Sequence, residues 1–519
     1  MNMILKIKTI IKQLIERLQI KKSKLFDCTW YLNNYPDVLV DRMDPIKHYV
    51  VFGWKEGRNP SPSFSTNGYL NVNQDVKRSC MNPLIHYIRY GKVEGRNLGM
   101  HCESKMKHFN EMINNCYVKD DLSKYKPTAA ALIKEKKKQI RPIDFIEVNS
   151  HETRINLVTD SIGSASLLGG VGTALIIVTL LANKNDWTLR IHTRNDKNDA
   201  KAYRDFMKFQ NIDLPKKVEF FNDFNFSNST VYRLEVSNND IFFASSWWSA
   251  YGIESCNLRK RFFGIIQEEE TFFYPYCDER LWCESMMRAE NIDFLINSKY
   301  LYDYFKYSGY SNIIKNGVCF EPAFPKYIYC PDNFTFKKKD KYKLFFYSRP
   351  YNYRNLFYTG LEMLDNALLS GILDFEEWEV VLAGADVFDF KFTCGLEPTI
   401  LGRISWEDYA EFARSVDLSF SLMYTPHPSY PPYDMAASGA VVLTNKFANK
   451  QDMSGYSKNI ILKELNLNDM LEGFKEAEML AKDASTREKN YLDNHICRSW
   501  QDNLDECLQV ITDKIGRDK

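Results

Sequence analysis

From Ile155 onward, short runs of apolar residues alternate with stretches in which apolar positions recur every three or four residues. The runs predict strands and the stretches between them predict amphipathic helices, a pattern that belongs to doubly wound α/β layers. Strands are expected at Ile155–Thr159, Thr188–Thr193, Val218–Phe221, Asp240–Ala244, Phe262–Gln267 and Phe294–Asn297. A second series is expected at Lys343–Tyr347, Glu379–Ala383, Thr399–Leu401, Leu418–Met423 and Val441–Thr444. Two α/β halves therefore stand in tandem, and Phe324 to Lys341, with Pro325, Pro331 and a lysine cluster, is the expected hinge. Ser161 to Asn183 carries no charge, but its dense apolar part, Val171 to Ala182, is only 12 residues. As a helix that is about 18 Å, too short to cross a bilayer, so a buried helix is expected.

The pattern ahead of this region differs. In residues 1–24, Ile4, Ile7, Ile11, Leu14, Ile15 and Leu18 recur at helical spacing, with Lys6, Lys8, Lys12, Arg17, Lys21, Lys22 and Lys24 around them. Such a helix suits an anionic membrane surface, and it suits equally a packed face on its own protein. The stretch lacks the uninterrupted apolar core and small-residue cleavage site of a secretory signal. Residues 25–98 contain a repeat of 38 residues: Trp30-Tyr31-Leu32, Asp44-Pro45, His48-Tyr49 and Glu56-Gly57-Arg58-Asn59 return as Tyr69-Leu70, Asn82-Pro83, His86-Tyr87 and Glu94-Gly95-Arg96-Asn97. Two copies of a small helical unit, each burying its aromatics, are expected, with His48 and His86 as packed turn residues. Residues 99–149, including Lys134 to Lys138, are charged and weakly patterned and read as a helical linker.

Composition narrows this picture without redirecting it. In 519 residues, 68 Lys and Arg balance 67 Asp and Glu, so no global field marks a nucleic-acid binder. With 45% hydrophobic residues, 23 Gly and 18 Pro, collagen, wholesale disorder and a multi-span membrane protein are excluded. The 12 Cys show no C-x-x-C pair, which fits free thiols in a reducing compartment better than a zinc site or a disulfide framework.

Ligands in open parallel sheets bind at the carboxyl ends of strands, so the loops that follow them are the candidate sites. After the first strand, Leu168-Gly169-Gly170-Val171-Gly172-Thr173-Ala174 opens a long helix whose free N–H groups could meet a phosphate or an acceptor. Its glycines could equally serve tight helix–strand packing. As a dinucleotide fingerprint it fails at Leu175 and at Arg194, which disfavours a nicotinamide dehydrogenase. In the second half, Arg349 and Arg354 follow a strand, and two guanidiniums so placed can fork onto a diphosphate and neutralise it as it leaves. Thr425 to Gly439 follows another strand, with Pro431 and Pro432 in the first turn of a helix and Asp434 placed to accept from a ribose hydroxyl or to complement the helix dipole.

With these residues the chain resembles the GT-B glycosyltransferases of the bacterial rhamnosyltransferase type, which assemble surface polysaccharides. Leu168–Ala174, the Arg349-x4-Arg354 pair and Pro428 to Gly439 carry the likeness, which extends over about 150–510; the repeat resembles modules fused ahead of such enzymes. The resemblance implies an α/β GT-B fold: two Rossmann-like domains, 150–325 for the acceptor and 326–485 for the nucleotide-sugar donor, facing a cleft, with a crossover helix in 486–519. The wider superfamily carries an Arg-x4-Lys pair, here ending in Arg354, and a Glu-x7-Glu pair, here Pro426 and Asp434. It further implies Arg349 and Arg354 as catalytic groups, and Gly169, Gly170, Gly172, Gly384, Arg403, Ile404, Ser429, Tyr430 and Asp434 as donor-binding. Glu268, Glu269 and Glu270 are implied on the acceptor side. The activity implied is transfer of L-rhamnose from dTDP-rhamnose, with retention, to a lipid-linked or polymeric glycan. No cofactor and no metal are implied, in keeping with the lack of Asp-x-Asp, and the enzyme would work in the cytoplasm, peripherally at the inner face of the membrane. A non-catalytic glycan-binding or scaffolding protein is the competing expectation.

Overall fold

The computed structural model describes residues 2–35, 37–38, 43–79, 81–96, 128–167, 169–225, 230–256, 261–333 and 335–517. Leu168, Asn97 and most of the expected linker lie outside them. Two compact units are present: Met1–Arg141 with Phe224–Tyr232, and Pro142–Asp223 with Arg233–Lys519.

In the first unit, helix α1 (Asn2–Ser23) lies against the repeat. Glu16 and Ile20 are buried there, while Leu14, Ile15 and Leu18 stay exposed. The two copies of the repeat make the same bonds. Asp44 and Asn82 accept from the first-turn N–H groups of the short helices Pro45–His48 and Pro83–His86. Each helix places its histidine Nδ1 3.0 Å from a tyrosine hydroxyl, Tyr31 with His48 and Tyr69 with His86. Arg58 pairs with Asp37 and Glu56, as Arg96 pairs with Asp75 and Glu94. A histidine held by a buried tyrosine in each copy is a fold element, as the spacing predicts.

The second unit contains two large parallel sheets, beside a two-stranded one that pairs Phe145–Glu147 with Leu234–Val236. The first has seven strands: β1 (Arg154–Thr159), β2 (Thr188–Thr193), β3 (Val218–Asn222), β4 (Asp240–Ala244), β5 (Phe262–Ile266), β6 (Ile292–Asn297) and β7 (Val318–Phe320), in the order β7-β6-β5-β4-β1-β2-β3. The second has six: β8 (Tyr342–Tyr347), β9 (Trp378–Ala383), β10 (Thr399–Gly402), β11 (Leu418–Ser421), β12 (Val441–Asn445) and β13 (Ile460–Lys463), in the order β10-β9-β8-β11-β12-β13. Both are doubly wound, Rossmann-like α/β domains, and in both the strand order reverses beside the first strand, between β1 and β4 and between β8 and β11. Such a reversal opens a crevice at the strand ends.

Helix α2 (Gly170–Asn185) follows β1 and is buried along most of its length, so the uncharged stretch is indeed a core helix. Helix α3 (Trp247–Glu254) follows β4, α4 (Phe357–Leu369) follows β8, and α5 (Pro431–Ala437) follows β11. The last helix, α7 (Trp500–Arg517), comes after α6 (Leu467–Lys482) and returns to the first sheet. Its Trp500, Leu504, Leu508 and Ile511 share one apolar cluster with Ile155, Leu175 and Leu189. Burying that many large apolar side chains ties the chain end to the domain where the fold began.

Candidate functional site

The segments after β1, β5 and β6 of the first domain meet the loops after β8, β11 and β12 of the second. Arg354 follows β8 and sends Nη1 to Oε2 of Glu268, just beyond β5, at 2.8 Å. Thr425, just beyond β11, donates to the same oxygen at 3.0 Å. The guanidinium lies 4.2 Å from the ring centroid of Phe273 of the first domain. Tyr430, at the start of α5, has its hydroxyl 2.6 Å from Thr173 Oγ1 on α2 and takes the Asn297 amide at 2.7 Å. The domains are thus closed on each other by polar groups brought from strand ends.

Burial shapes the charges here. Glu268 is pushed up to about 7 by desolvation, opposed chiefly by the Arg354 charge. Glu270 is pushed up to about 8 by burial, though its carboxylate takes the Trp247 N–H at 2.7 Å and so caps α3. Arg354 is lowered, first by burial, and the neighbouring Arg349 charge acts in the same direction. Lys450, in the loop after β12, has no exposed surface; burial lowers it to about 7, and Glu268 opposes that shift.

Several candidates from the sequence take other places. Asp434 turns inward, where the Tyr409 hydroxyl donates to it at 3.3 Å and Tyr329 also bonds to it, and burial raises it to about 8. A carboxylate sealed by two tyrosines is not presented to a ribose, which corrects that expectation. The Tyr430 hydroxyl is likewise occupied by Thr173 and Asn297, so this residue joins the domains. Gly172 is a packing glycine: a Cβ there would lie 2.4 Å from the Leu167 carbonyl and 2.7 Å from Phe206. Gly169 and Gly170 do open α2 beside the site, and the Gly170 carbonyl accepts from Gln267 at 2.6 Å. Glu269 bonds within its own domain, to Thr271 at 2.6 Å and Tyr310 at 3.3 Å. Of the three acids only Glu268 reaches across, so an acceptor-orienting role for Glu269 and Glu270 does not match their places.

Gly384, at the end of β9, packs where a Cβ would fall 1.6 Å from the Ser348 carbonyl, so it sets the path of the loop carrying Arg349. Arg403 is exposed just past β10, 3.9 Å from Asp386, with Ile404 next to it and half-buried. Ser429 is buried, and its N–H donates to His427 Nδ1 at 3.0 Å. Lys450, His427, Thr173 and Asn297 are site residues that pattern reading did not single out, because one polar residue, whether in a quoted motif or outside it, carries no periodic signal of its own. Among the described residues no group of three or more His, Cys, Asp or Glu is placed to hold a metal ion.

The first of the likenesses to known proteins is to the O-antigen biosynthesis protein RfbC of Myxococcus xanthus, 28% identical over 243 residues, 46% of this chain. The matched stretch spans 18% of that relative's length. Among solved structures, the sucrose-phosphate synthase of Thermosynechococcus elongatus is similar, with 9% identity, a TM-score of 0.47, and coverage of 70% of this chain and 100% of that one. A mutant of TarM of S. aureus, in a complex that includes UDP, is similar at 9% identity and a TM-score of 0.49, over 69% of this chain and 99% of that one. Residues 154–299 match the WsaF N-terminal domain family and residues 342–475 match the WsaF C-terminal domain family, the first covering β1 to β6 and the second β8 to β13. Each match is confined to one of the two α/β domains.

Proposed function

We propose that this protein is a glycosyltransferase that moves a sugar from a nucleoside-diphosphate donor onto a growing surface polysaccharide. The observation that carries the reading is the place of Arg354: a half-buried cation beside Arg349, at the strand-order reversal of the second domain, facing the loops of the first. As a glycosyl bond breaks, negative charge builds on the departing diphosphate, and preorganised guanidiniums in a desolvated cleft stabilise it. Closure of two domains over the reacting atoms excludes water, a need when hydrolysis competes with transfer. The name of the M. xanthus relative supports a role in O-antigen-type polysaccharide assembly.

Within that reading the donor is a dTDP-linked sugar, L-rhamnose, transferred with retention and without a metal, with Gly169 and Gly170 lining the approach and the main chain at Gly384, Arg403 and Ile404 bordering the base. Mass spectrometry of products from a panel of nucleotide sugars with short oligosaccharide acceptors tests it. Transfer from one donor, reduced about 10²-fold or more in Arg349→Ala, is the expected result; unchanged transfer in that variant removes the arginines from the mechanism. The exposed Leu14, Ile15 and Leu18 of α1 support contact with an anionic membrane surface, which sedimentation with anionic vesicles, with and without residues 1–24, would test.

A further inference from the structure

We propose that the Glu268 carboxylate is an internal occupant of the anion site: from the first domain it fills a cradle that the second domain builds from Arg354, Thr425, Lys450 and His427, and a diphosphate enters only by displacing it. The inference rests on the transferase reading above but concerns what competes with the donor.

The cradle has more donors than its occupant uses. Arg354 Nη1 and the Thr425 hydroxyl both bond one oxygen, Oε2, while Oε1 takes only the N–H of Glu269 next to it, at 3.0 Å. Lys450 acts electrostatically on Glu268, yet its Nζ donates to the Met423 carbonyl at 3.1 Å. His427 is the further donor. The Ser429 N–H donates to its Nδ1, so Nδ1 carries the lone pair and the proton of the neutral ring sits on Nε2. Burial holds the ring neutral, with its basicity lowered to about 3, and the charges of Lys450 and Arg354 act in the same direction. That Nε2–H is buried and has no hydrogen-bond partner. Buried donors without acceptors are rare in folded proteins and call for an explanation. An anion with several oxygens would supply the missing acceptor and balance the positive charge that one carboxylate leaves uncompensated between Arg354 and Lys450.

The occupant also comes from the opposite domain, so opening alone withdraws it. The Tyr430 hydroxyl, held by Thr173 and Asn297, is a second polar tie across the gap, and Tyr300, which donates to the Asp452 carbonyl and accepts from the Asn449 amide, is a third. Releasing these ties would uncover the cradle.

Titration calorimetry of the full chain with inorganic pyrophosphate tests this. Glu268→Gln keeps the shape of the side chain and removes its charge, and should bind pyrophosphate roughly tenfold tighter than wild type at pH 7.5. The gap should narrow at pH 5.5, where a proton on the wild-type carboxyl weakens it as a competitor. Should Glu268→Gln fail to fold, Tyr430→Phe, which loosens closure, should also bind tighter. Equal or weaker binding in the folded Glu268→Gln protein, or in Tyr430→Phe when it alone folds, overturns the proposal. If Glu268→Gln binds tighter and no nucleotide sugar is turned over, the cradle stands and the transferase reading falls. Normal transfer with unchanged pyrophosphate affinity does the reverse.

Discussion

The Tyr430 hydroxyl of the second domain lies 2.6 Å from Oγ1 of Thr173 in the first. Because Asn297 donates to the same oxygen at 2.7 Å, one phenol joins α2, the end of β6 and the start of α5. Tyr430→Phe would leave the Asn297 amide and the Thr173 hydroxyl without this partner in a dry interface. The cost of such orphaned groups is about 1–3 kcal/mol. Thermal unfolding should show a lowered midpoint, and small-angle scattering should show a larger radius of gyration as closure weakens. An unchanged midpoint together with an unchanged radius would mean that the closed arrangement is held elsewhere.

Gly384 fixes the loop that bears Arg349. A Cβ at this position would meet the Ser348 carbonyl at 1.6 Å and the Arg349 Cγ at 3.4 Å. Backbone cannot yield as a flexible side-chain end can, so Gly384→Ala must shift the turn after β8. Overpacking of this kind costs about 1–3 kcal/mol. Urea unfolding should register that loss, and pyrophosphate affinity should fall with it, since Arg349 moves with its loop. Wild-type values for both would show that the turn adapts freely.

Asp434 predicts a pH signature. Burial raises its carboxyl from 3.8 to about 8, so across that interval the folded protein holds a proton that the unfolded chain has released. Stability contributed by this group is therefore greatest at low pH and is lost as pH rises toward 8. Asp434→Asn keeps a similar shape without titrating. Its melting temperature should gain on the wild type as pH climbs from 5 to 8, and a constant difference over that range would show that Asp434 is ionised throughout.

How far the sequence foretold this molecule can be traced residue by residue. The central strands were legible, since β1, β8 and β12 carry the short apolar runs Leu157-Val158, Leu344-Phe345-Phe346 and Val441-Val442-Leu443. The short edge strands β7 and β13 were not, because three or four residues beside Glu321 or Lys458 give no run to recognise. Leu418–Met423 was read two residues too long: Leu422 and Met423 are buried like the strand but lie beyond its ladder. Arg354 was legible because a cation pair at a strand end has a local signature. Its partner Glu268 lies 86 residues away and had none. Asp434 shows the limit of a first-turn position: the turn says where a carboxylate is, while Tyr329 and Tyr409, distant in sequence, decide which way it faces.

Arg354 also carries a prediction about residue type. The superfamily that the sequence resembles has lysine at the second position of its pair, and a count of charges would treat the two as equal. Here the guanidinium is stacked 4.2 Å from the centroid of Phe273 while Nη1 reaches Glu268 at 2.8 Å. A lysine ammonium is a compact, strongly hydrated point charge and cannot hold a planar stack and a directed bond together. Arg354→Lys should therefore weaken pyrophosphate binding several-fold, while Arg354→Ala should weaken it about 10²-fold. If the stack is the cause, Phe273→Leu should lower affinity in the wild type and change little in Arg354→Lys. A double-mutant cycle isolates that coupling, and about 0.5–2 kcal/mol is expected for a partly desolvated cation over a ring. A coupling of zero would mean that Phe273 merely walls the cleft and that the arginine acts by charge alone.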